Sequence, residues 1–291
     1  MSLFKYCLSA LGALMFASHV YASPAPLQLT VYNPGNDALF PVSSVVVSGA
    51  KDAILVDAQF GASQAEQVVR QIRASGKHLT TIYISHGDPD YYFGLETLTT
   101  AFPDARVVAS APTVAHIKKT MTDKLAYWGP KMGADKPSKL VIPDVLQGNS
   151  LALEGQKLEI IGLDSQQPER SFVWIPSIKA VVGGVVVTEN IHVWMADTQG
   201  AEAQQQWLKT LQRILDLAPQ TVIPGHYLGE GSRSVKAVQF TRDYVSTFLE
   251  ETPKAKNSSE LIGAMQRAFP GLGDESSLEF SARVAKGEMQ W

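Results

Sequence analysis

The chain has 291 residues, with 25 lysines and arginines against 28 aspartates and glutamates and a formal net charge of −3. It contains neither a basic run nor an acidic tail, which disfavours a nucleic-acid partner, because binding the phosphate backbone needs clustered positive charge. Hydrophobic residues make up 45% of the chain, enough to bury the core of a globular domain.

The first 22 residues have the layout of a secretory signal peptide. Lys5 precedes an apolar stretch from Leu8 to Ala17, and the small residues that follow predict cleavage after Ala22. This apolar stretch is too short to be a stable membrane anchor. We therefore expect a periplasmic or secreted protein in which residues 23–291 form a single domain.

Cys7 is the only cysteine and lies in the segment that would be removed. The mature chain would then have no disulfide, no thiolate metal ligand and no cysteine nucleophile. Its stability would have to come from burial of its core.

Strands and helices alternate in the first half of the chain. β-Branched and apolar runs bounded by Gly, Pro and Asn predict strands, and apolar residues three and four positions apart predict helices. In chain order we predict strands over 27–34 and 40–61, a helix over 63–76, a strand over 79–85, a helix over 94–102, a strand over 105–110, a helix over 112–129 and a mobile polar loop over 130–139.

The second half begins with short strands and returns to helices. We predict a hairpin-like succession of strands over 140–188, a helix over 201–219, a short strand over 221–226 and a helical region over 234–251. Two such halves, each with mixed strands and outer helices, predict an α/β protein built as a four-layer αββα sandwich.

Polar groups follow three of the predicted strands at their carboxyl ends. Asp57 ends the segment AILVD, His86, Asp88 and Asp90 follow LTTIYIS, and His226 ends TVIPGH. Ligand sites in α/β proteins collect at the carboxyl ends of strands. We expect these groups to share one cleft.

This order of landmarks resembles the metallo-β-lactamase fold superfamily. The segments ILVDAQFG, IYISHGDPDYYFG and VIPGH occur in the right order and strand contexts, and the resemblance covers nearly all of the expected mature chain. Members usually carry a T-H-x-H-x-D-H turn, then Gly-His, Gly-Asp and a final Pro-Gly-His. The resemblance implies the αββα fold, a metal site at the strand ends and hydrolysis of a small ester, lactone or amide.

Several ligand positions of that pattern are substituted here. His86 stands at the first histidine of the turn, Asp90 at its aspartate and His226 at the last histidine. Asp88 stands where a second histidine is usual, and Tyr91 stands where the third is usual.

Two further ligand positions have lost their ligand atoms. Leu163 falls at the histidine of Gly-His, with Asp164 next to it, and Val185 follows Gly184 where the metal-bridging aspartate is usual. Because leucine and valine cannot bind metal, the usual two-zinc site is incomplete.

We therefore expect a reduced site with one divalent ion, zinc, iron or manganese, held by His86, Asp88, Asp90 and His226. The ion would acidify a bound water that Asp88 or Asp90 orients, and Tyr91 would donate a hydrogen bond to an oxyanion. In the alternative without metal, the aspartates cap the following helix and His226 hydrogen-bonds across a closed cleft.

Three residues are expected to support this site from around it. Asp57 would fix the adjacent turn by accepting N–H bonds, with Asp164 and His192 also nearby. His192 could instead be a substitute ligand or proton shuttle, or a structural histidine between apolar neighbours.

The sequence supports two functional hypotheses, each with a small-molecule partner. The first is an exported hydrolase acting on a small ester, lactone or amide, with Asp88, Asp90 and Tyr91 as catalytic residues. The second is a non-catalytic protein that keeps the fold without the metal and binds a small hydrophobic ligand, with Leu163 and Val185 lining a dry pocket.

Overall fold

The computed structural model describes residues 25–291, so the predicted signal peptide lies outside the described residues. Two β-sheets pack face to face and carry helices on their outer sides, which confirms the predicted four-layer αββα sandwich. None of the helices within residues 25–291 is both long enough and apolar enough to cross a membrane.

The first sheet has six strands in sequence order. They are β1 (Gln28–Tyr32), β2 (Ser44–Ser48), β3 (Asp52–Val56), β4 (His78–Ile84), β5 (Arg106–Ala109) and β6 (Asp144–Val145). β2 is antiparallel to both of its neighbours, β1 and β3, and β3 to β6 are parallel. The carboxyl ends of β3 and β4 therefore lie side by side.

The second sheet has five strands in the order β12, β10, β9, β8, β7, and a separate two-stranded pair joins β11 to β13. These strands are β7 (Ser150–Leu153), β8 (Gln156–Ile161), β9 (Phe172–Ile175), β10 (Ala180–Val182), β11 (Thr188–Glu189), β12 (Thr221–Val222) and β13 (His226–Tyr227). The β11–β13 pair is parallel and sets Thr188 opposite His226.

Eight α-helices complete the described residues. They are α1 (Ala62–Ser75), α2 (Pro89–Tyr92), α3 (Leu95–Ala101), α4 (Ala111–Met132), α5 (Ala201–Asp216), α6 (Val235–Glu251), α7 (Ser258–Ala268) and α8 (Glu275–Ala285).

Three hydrophobic clusters fill the spaces between the four layers. Side chains alternate across a strand, so Leu55 of β3 faces helices α1 and α3, while Ile54 and Val56 face the second sheet. The third cluster packs α5 to α8 against the second sheet around Trp207 and Phe248, both fully buried.

Two parts of the chain differ from the prediction. Helix α4 continues through Pro130 into the predicted loop, and the rest of that loop is tethered where Asp135 accepts hydrogen bonds from Ser63. Helices α7 and α8 follow the last predicted helix, and their caps, Asn257 and Asp274, each accept a backbone N–H bond.

A buried network of hydrogen bonds connects the two sheets. Asp57, just after β3, accepts hydrogen bonds from the Ser85 backbone N–H at 2.8 Å and from its hydroxyl at 2.7 Å. The same hydroxyl accepts the Gly184 N–H at 2.7 Å, just after β10. Asp57 is 1% exposed and adopts φ +67°, and burial raises its pKa to about 7 against the hydrogen bonds from Ser85.

Gly184 permits a close approach within the second sheet, between the end of β10 and the start of β9. It adopts φ +81°, and a β-carbon added there would clash with the Ser171 carbonyl oxygen. Gly148 has a similar φ of +79° but open space around it. Replacing Gly148 by alanine therefore costs only the strain of the left-handed backbone, whereas replacing Gly184 adds the cost of the clash.

We expect Gly148→Ala to lower the free energy of unfolding by about 1 kcal/mol, the cost of a left-handed alanine. Gly184→Ala should lose at least about 2 kcal/mol more, because the backbone of Ser171 cannot move without shifting β9. Urea unfolding measures both. Equal losses in the two variants would contradict the close approach at Gly184.

A second prediction concerns pH. The Asp57 carboxyl titrates near 7 when folded and near 3.8 as a free side chain, so the folded state holds its proton more tightly. The protonated Asp57 carboxyl therefore contributes to stability below pH 4, and this contribution is lost as pH rises toward 7.

Asp57→Asn, which is neutral at every pH and tolerates positive φ, supplies the comparison. Relative to this variant, the wild type should lose about 4 kcal/mol at most in free energy of unfolding between pH 4 and pH 8. Urea midpoints across this range test the effect. A constant difference between the two proteins would show that Asp57 does not titrate there.

Candidate active-site cleft

The turn after β4 holds a buried charge cluster around Asp88. His86 Nε2 lies 3.1 Å from Asp88 Oδ2, and the Lys124 ammonium of α4 pairs with Asp88 Oδ1. His86 Nδ1 donates to the Glu169 carbonyl at 3.0 Å. Both carboxylate oxygens of Asp88 are thus taken by nitrogen donors.

The pKa values of this cluster follow from its charges. Burial opposes the charge on Asp88, yet His86 and Lys124 hold the pKa of that carboxyl well below its ordinary value. Burial likewise opposes the charge on His86, and the Asp88 carboxylate outweighs it and raises the pKa of the imidazole. Asp88 is therefore a carboxylate flanked by cations.

A second chain of hydrogen bonds runs from Asp90 to Tyr91. His226 Nε2 lies 2.7 Å from Asp90 Oδ2, and His226 Nδ1 lies 3.3 Å from the Tyr91 hydroxyl. Burial and the nearby Asp90 carboxylate raise the pKa of Tyr91 well above its ordinary value, so the phenol keeps its proton and donates. We therefore assign the His226 proton to Nε2, which donates to Asp90.

Tyr91 separates the four predicted metal ligands into two pairs. Its fully buried ring has centroid distances of 5.3 Å to His86 and 5.6 Å to His226, edge-on to both. Within residues 25–291, no three His, Cys, Asp or Glu side chains are grouped to hold a metal ion.

This donor set does not fit the single divalent ion predicted from the sequence. The imidazole nitrogens that would bind the ion instead contact carboxylates, and Lys124 already supplies a cation to Asp88. The arrangement consists of two His–Asp pairs, an ammonium and a phenol.

The supporting residues are placed differently from one another. Asp57 lies beneath the turn through its bonds to Ser85. His192 lines the cleft, but its Nδ1 is 3.0 Å from the Tyr244 hydroxyl, away from the charged turn. Asp164 lies on the surface, where it pairs with Arg213 of α5 at 2.6 Å and does not reach the cleft.

A cleft of about 70 Å³ is lined by Asp88 of the first pair and by both residues of the second. Asp88, Lys124, Asp90 and His226 form its polar side. The other walls are mainly apolar and aromatic, and include Phe40, Trp128, Val185, Trp194, Trp207 and the C-terminal Trp291. Leu163 packs between the sheets instead, so it does not line this cleft.

Sequence reasoning missed Lys124, His116 and Arg170. His116 lies 3.7 Å from Asp88 and eight residues before Lys124, so the two share one face of α4. That spacing of polar groups within an amphipathic helix was the available signal. Arg170 sits in a short 3₁₀ turn, where nothing in the sequence pattern distinguishes it.

Three solved structures share this fold. A metallo-beta-lactamase from Pontibacter korlensis matches with a TM-score of 0.57 and 19% identity over 76% of this chain and 99% of its own. The DIM-1 metallo-beta-lactamase matches with a TM-score of 0.54 and 21% identity over 77% of this chain and 99% of its own. A metallo-beta-lactamase family protein from Thermus thermophilus matches with a TM-score of 0.62 and 16% identity over 88% of this chain and 91% of its own.

Sequence comparison assigns the family. No curated protein sequence matches the chain. The family model described as the metallo-beta-lactamase superfamily matches residues 37–226, the span from the first sheet to His226. Together with the αββα fold and the polar turn at the strand ends, this match shows that the chain belongs to the metallo-beta-lactamase superfamily.

Proposed function

We propose that this protein is an exported hydrolase of a small ester, lactone or amide that works through its own side chains. The observation that carries the proposal is that a carboxylate, Asp90, and an ammonium, Lys124, line the same cleft. Each is held by a partner, Asp90 by His226 and Lys124 by Asp88. A general base and a positive charge are the two groups that hydrolysis of a carbonyl needs.

Asp90 is suited to be the base. His226 donates to Oδ2, and no other described residue donates to the Asp90 side chain, so Oδ1 can accept a proton from water. Tyr91 holds His226 in the tautomer that donates to Asp90, which makes Tyr91 a positioning residue. The pair therefore stays oriented while Asp90 changes its protonation state.

Lys124 is suited to stabilise negative charge on the substrate. Burial opposes its charge, but the Asp88 carboxylate outweighs this and raises the pKa of the ammonium above its ordinary value. An ammonium has three N–H donors, and Asp88 takes one of them. Superfamily members usually use divalent metal ions such as zinc, and here fixed cations would supply the charge instead.

The reaction balances with these groups. Asp90 takes a proton from water as the water oxygen bonds to the substrate carbonyl carbon, and Lys124 donates to the resulting oxyanion. The bond to the leaving oxygen or nitrogen then breaks, and Asp90 returns the proton to it. The products are a carboxylic acid and an alcohol or amine, and a lactone yields both groups on one hydroxy acid.

We expect Asp90→Asn to lower kcat/KM at least about a hundredfold on any ester, lactone or amide that the wild type hydrolyses, because the base is lost while its shape is kept. Lys124→Met should lower kcat by a similar factor by removing the charge that stabilises the oxyanion. A panel of chromogenic esters and lactones measures both, with surface Asp164→Asn as the control. Full activity in Asp90→Asn would refute the assigned base.

Metal dependence is tested on the same protein. Activity that survives a chelator, in protein with less than about a tenth of an equivalent of transition metal, supports the side-chain mechanism. Activity that a chelator abolishes and zinc, iron or manganese restores would overturn it. That result would support the ion predicted on His86, Asp88, Asp90 and His226.

The second candidate function is binding of a small hydrophobic ligand without turnover. The observation favouring it is the aromatic cleft wall, in which Trp128 packs on Phe40 and Phe60. Both ring nitrogens of His86 and of His226 are also engaged, so neither imidazole is free to act as a base on a substrate.

For this function we expect saturable binding of a neutral aromatic probe such as N-phenyl-1-naphthylamine, followed by its fluorescence, with no hydrolysis across the panel. Trp128→Ala should weaken binding about tenfold, because a large apolar contact is lost. Exposed Leu39→Ala, outside the cleft, should bind as the wild type does. Equal affinity in Trp128→Ala and the wild type would exclude this cleft.

A further inference from the structure

His192 is a buried histidine on the wall of the cleft, and the proposed hydrolysis does not use it. It lies shortly after β11, and its backbone N–H donates to the Gly273 carbonyl at 2.9 Å. The residue is 2% exposed and lines the cleft. The accessible surface that its ring keeps therefore belongs to the cleft.

The Tyr244 hydroxyl fixes the position of the proton on this imidazole. Tyr244 Oη lies 3.0 Å from His192 Nδ1, and it accepts a hydrogen bond from the Val193 backbone N–H. Burial raises the pKa of Tyr244 above its ordinary value, so the hydroxyl keeps its proton and donates a hydrogen bond to Nδ1. Because an accepting Nδ1 carries no proton, the neutral ring carries its proton on Nε2.

Nε2 presents this proton to the cleft. No residue within 25–291 accepts a hydrogen bond from Nε2. It is also not sealed from solvent, unlike the unpaired Nε of Arg170. Since Nδ1 contacts Tyr244 of α6, which is fully buried in the core, the opposite edge of the ring faces the cleft. A ligand in the cleft therefore meets a hydrogen-bond donor at Nε2.

The charges around His192 favour an uncharged acceptor. Burial lowers the pKa of the imidazole, and the carboxylates of Asp274 and Glu275 offset this only in part, so the ring is neutral. Asp274 also lines the cleft, and the hydroxyls that donate to it, from Ser276 and Ser277, bring no charge. These carboxylates repel an anionic acceptor but not a neutral oxygen.

The wall on either side of His192 is apolar. Its neighbours Ile191, Val193 and Trp194 all line the cleft. A hydrogen bond formed against such a surface is stronger than one in water, and leaving the donor unpaired under an apolar ligand is costly. The imidazole therefore distinguishes a ligand that carries an oxygen at this point from a hydrocarbon of the same shape.

We infer that His192 determines which ligands the cleft accepts, because its Nε2–H donates a hydrogen bond to an uncharged carbonyl oxygen of the ligand. The ligand then combines an apolar body, which packs against the tryptophan walls, with a neutral carbonyl group. Tyr244 is a positioning residue, since it acts only through the tautomer of His192. This inference concerns ligand class and holds whether the cleft hydrolyses its ligand or only binds it.

The first experiment determines the tautomer. NMR of the mature chain, labelled in its histidine ring nitrogens, distinguishes a protonated nitrogen from an unprotonated one, and the signals are assigned through their bonded connections to the backbone. We expect Nε2 of His192 to carry the proton. In Tyr244→Phe, which lacks the hydroxyl, the proton should be shared between the two nitrogens. A proton on Nδ1 in the wild type would overturn the inference.

The second experiment titrates acetophenone, α-methylstyrene and benzoate into the same labelled protein. The first two have the same shape and differ only in a carbonyl oxygen against a methylene group, while benzoate carries a charge. Acetophenone should shift the Nε2 signal in a saturable way, and α-methylstyrene should shift it much less. Benzoate, which the Lys124 ammonium of the cleft attracts, should also shift Nε2 much less than acetophenone does.

Variants assign the preference to His192. The affinity for acetophenone relative to α-methylstyrene should fall about fivefold in His192→Phe, the effect of one neutral hydrogen bond. It should fall less in Tyr244→Phe, where Nε2 still carries the proton part of the time. His78→Phe, at an exposed position at the start of β4, is the matched control and should keep the wild-type ratio.

Acetophenone has no bond that the cleft could hydrolyse, so this test does not depend on the proposed chemistry at Asp90 and Lys124. Three of its results would overturn the inference: no saturable binding of acetophenone, a shift of Nε2 by benzoate as large as that by acetophenone, or an unchanged affinity ratio in His192→Phe. If His192→Phe does not fold, the wild-type titrations and the ratio in Tyr244→Phe decide the question, and an unchanged ratio there would overturn it.

Discussion

The Ser85 hydroxyl is the point on which the geometry of the site depends. It lies between the Asp57 carboxyl on the first sheet and the Gly184 N–H on the second, and it directly precedes His86. Because this one group is bonded to both sheets, the turn that carries Asp88 and Asp90 cannot shift relative to the second sheet without breaking buried hydrogen bonds. These hydrogen bonds therefore hold the charged side of the cleft in a fixed position relative to both sheets.

Charge balance is the second constraint on the site. A turn with two carboxylates and buried surroundings requires positive charge, and superfamily members usually obtain it from divalent metal ions. In this chain, Lys124 of helix α4 pairs with Asp88, and His226 of strand β13 pairs with Asp90. The Tyr91 ring keeps the two pairs apart, so each carboxylate is balanced separately. Among the described residues, Arg170 is a buried cation that makes no such ion pair.

Much of the architecture could be predicted from local pattern. The alternation along β3, with Ile54 facing one side and Leu55 the other, is a two-residue period, and the caps and glycines bound the helices. The end of α4 was not predictable in this way, because Pro130 and Gly133 favour a loop. Packing and the contacts of the tether with α1 decide its course instead, and these come from residues distant in sequence.

The sandwich fold, the superfamily and the location of the polar turn at the carboxyl ends of the parallel strands could be predicted from the sequence, because hydrophobic periodicity and motif order are local properties of the chain. Which charges meet at that turn could not be predicted from these local properties. Asp88 and Lys124 are separated by 36 residues and Asp90 and His226 by 136, so their pairing depends on how the helices and sheets pack. For the same reason Asp164, beside a ligand position in sequence, lies on the surface, while Arg170, six residues later, is buried against the ring of Trp207.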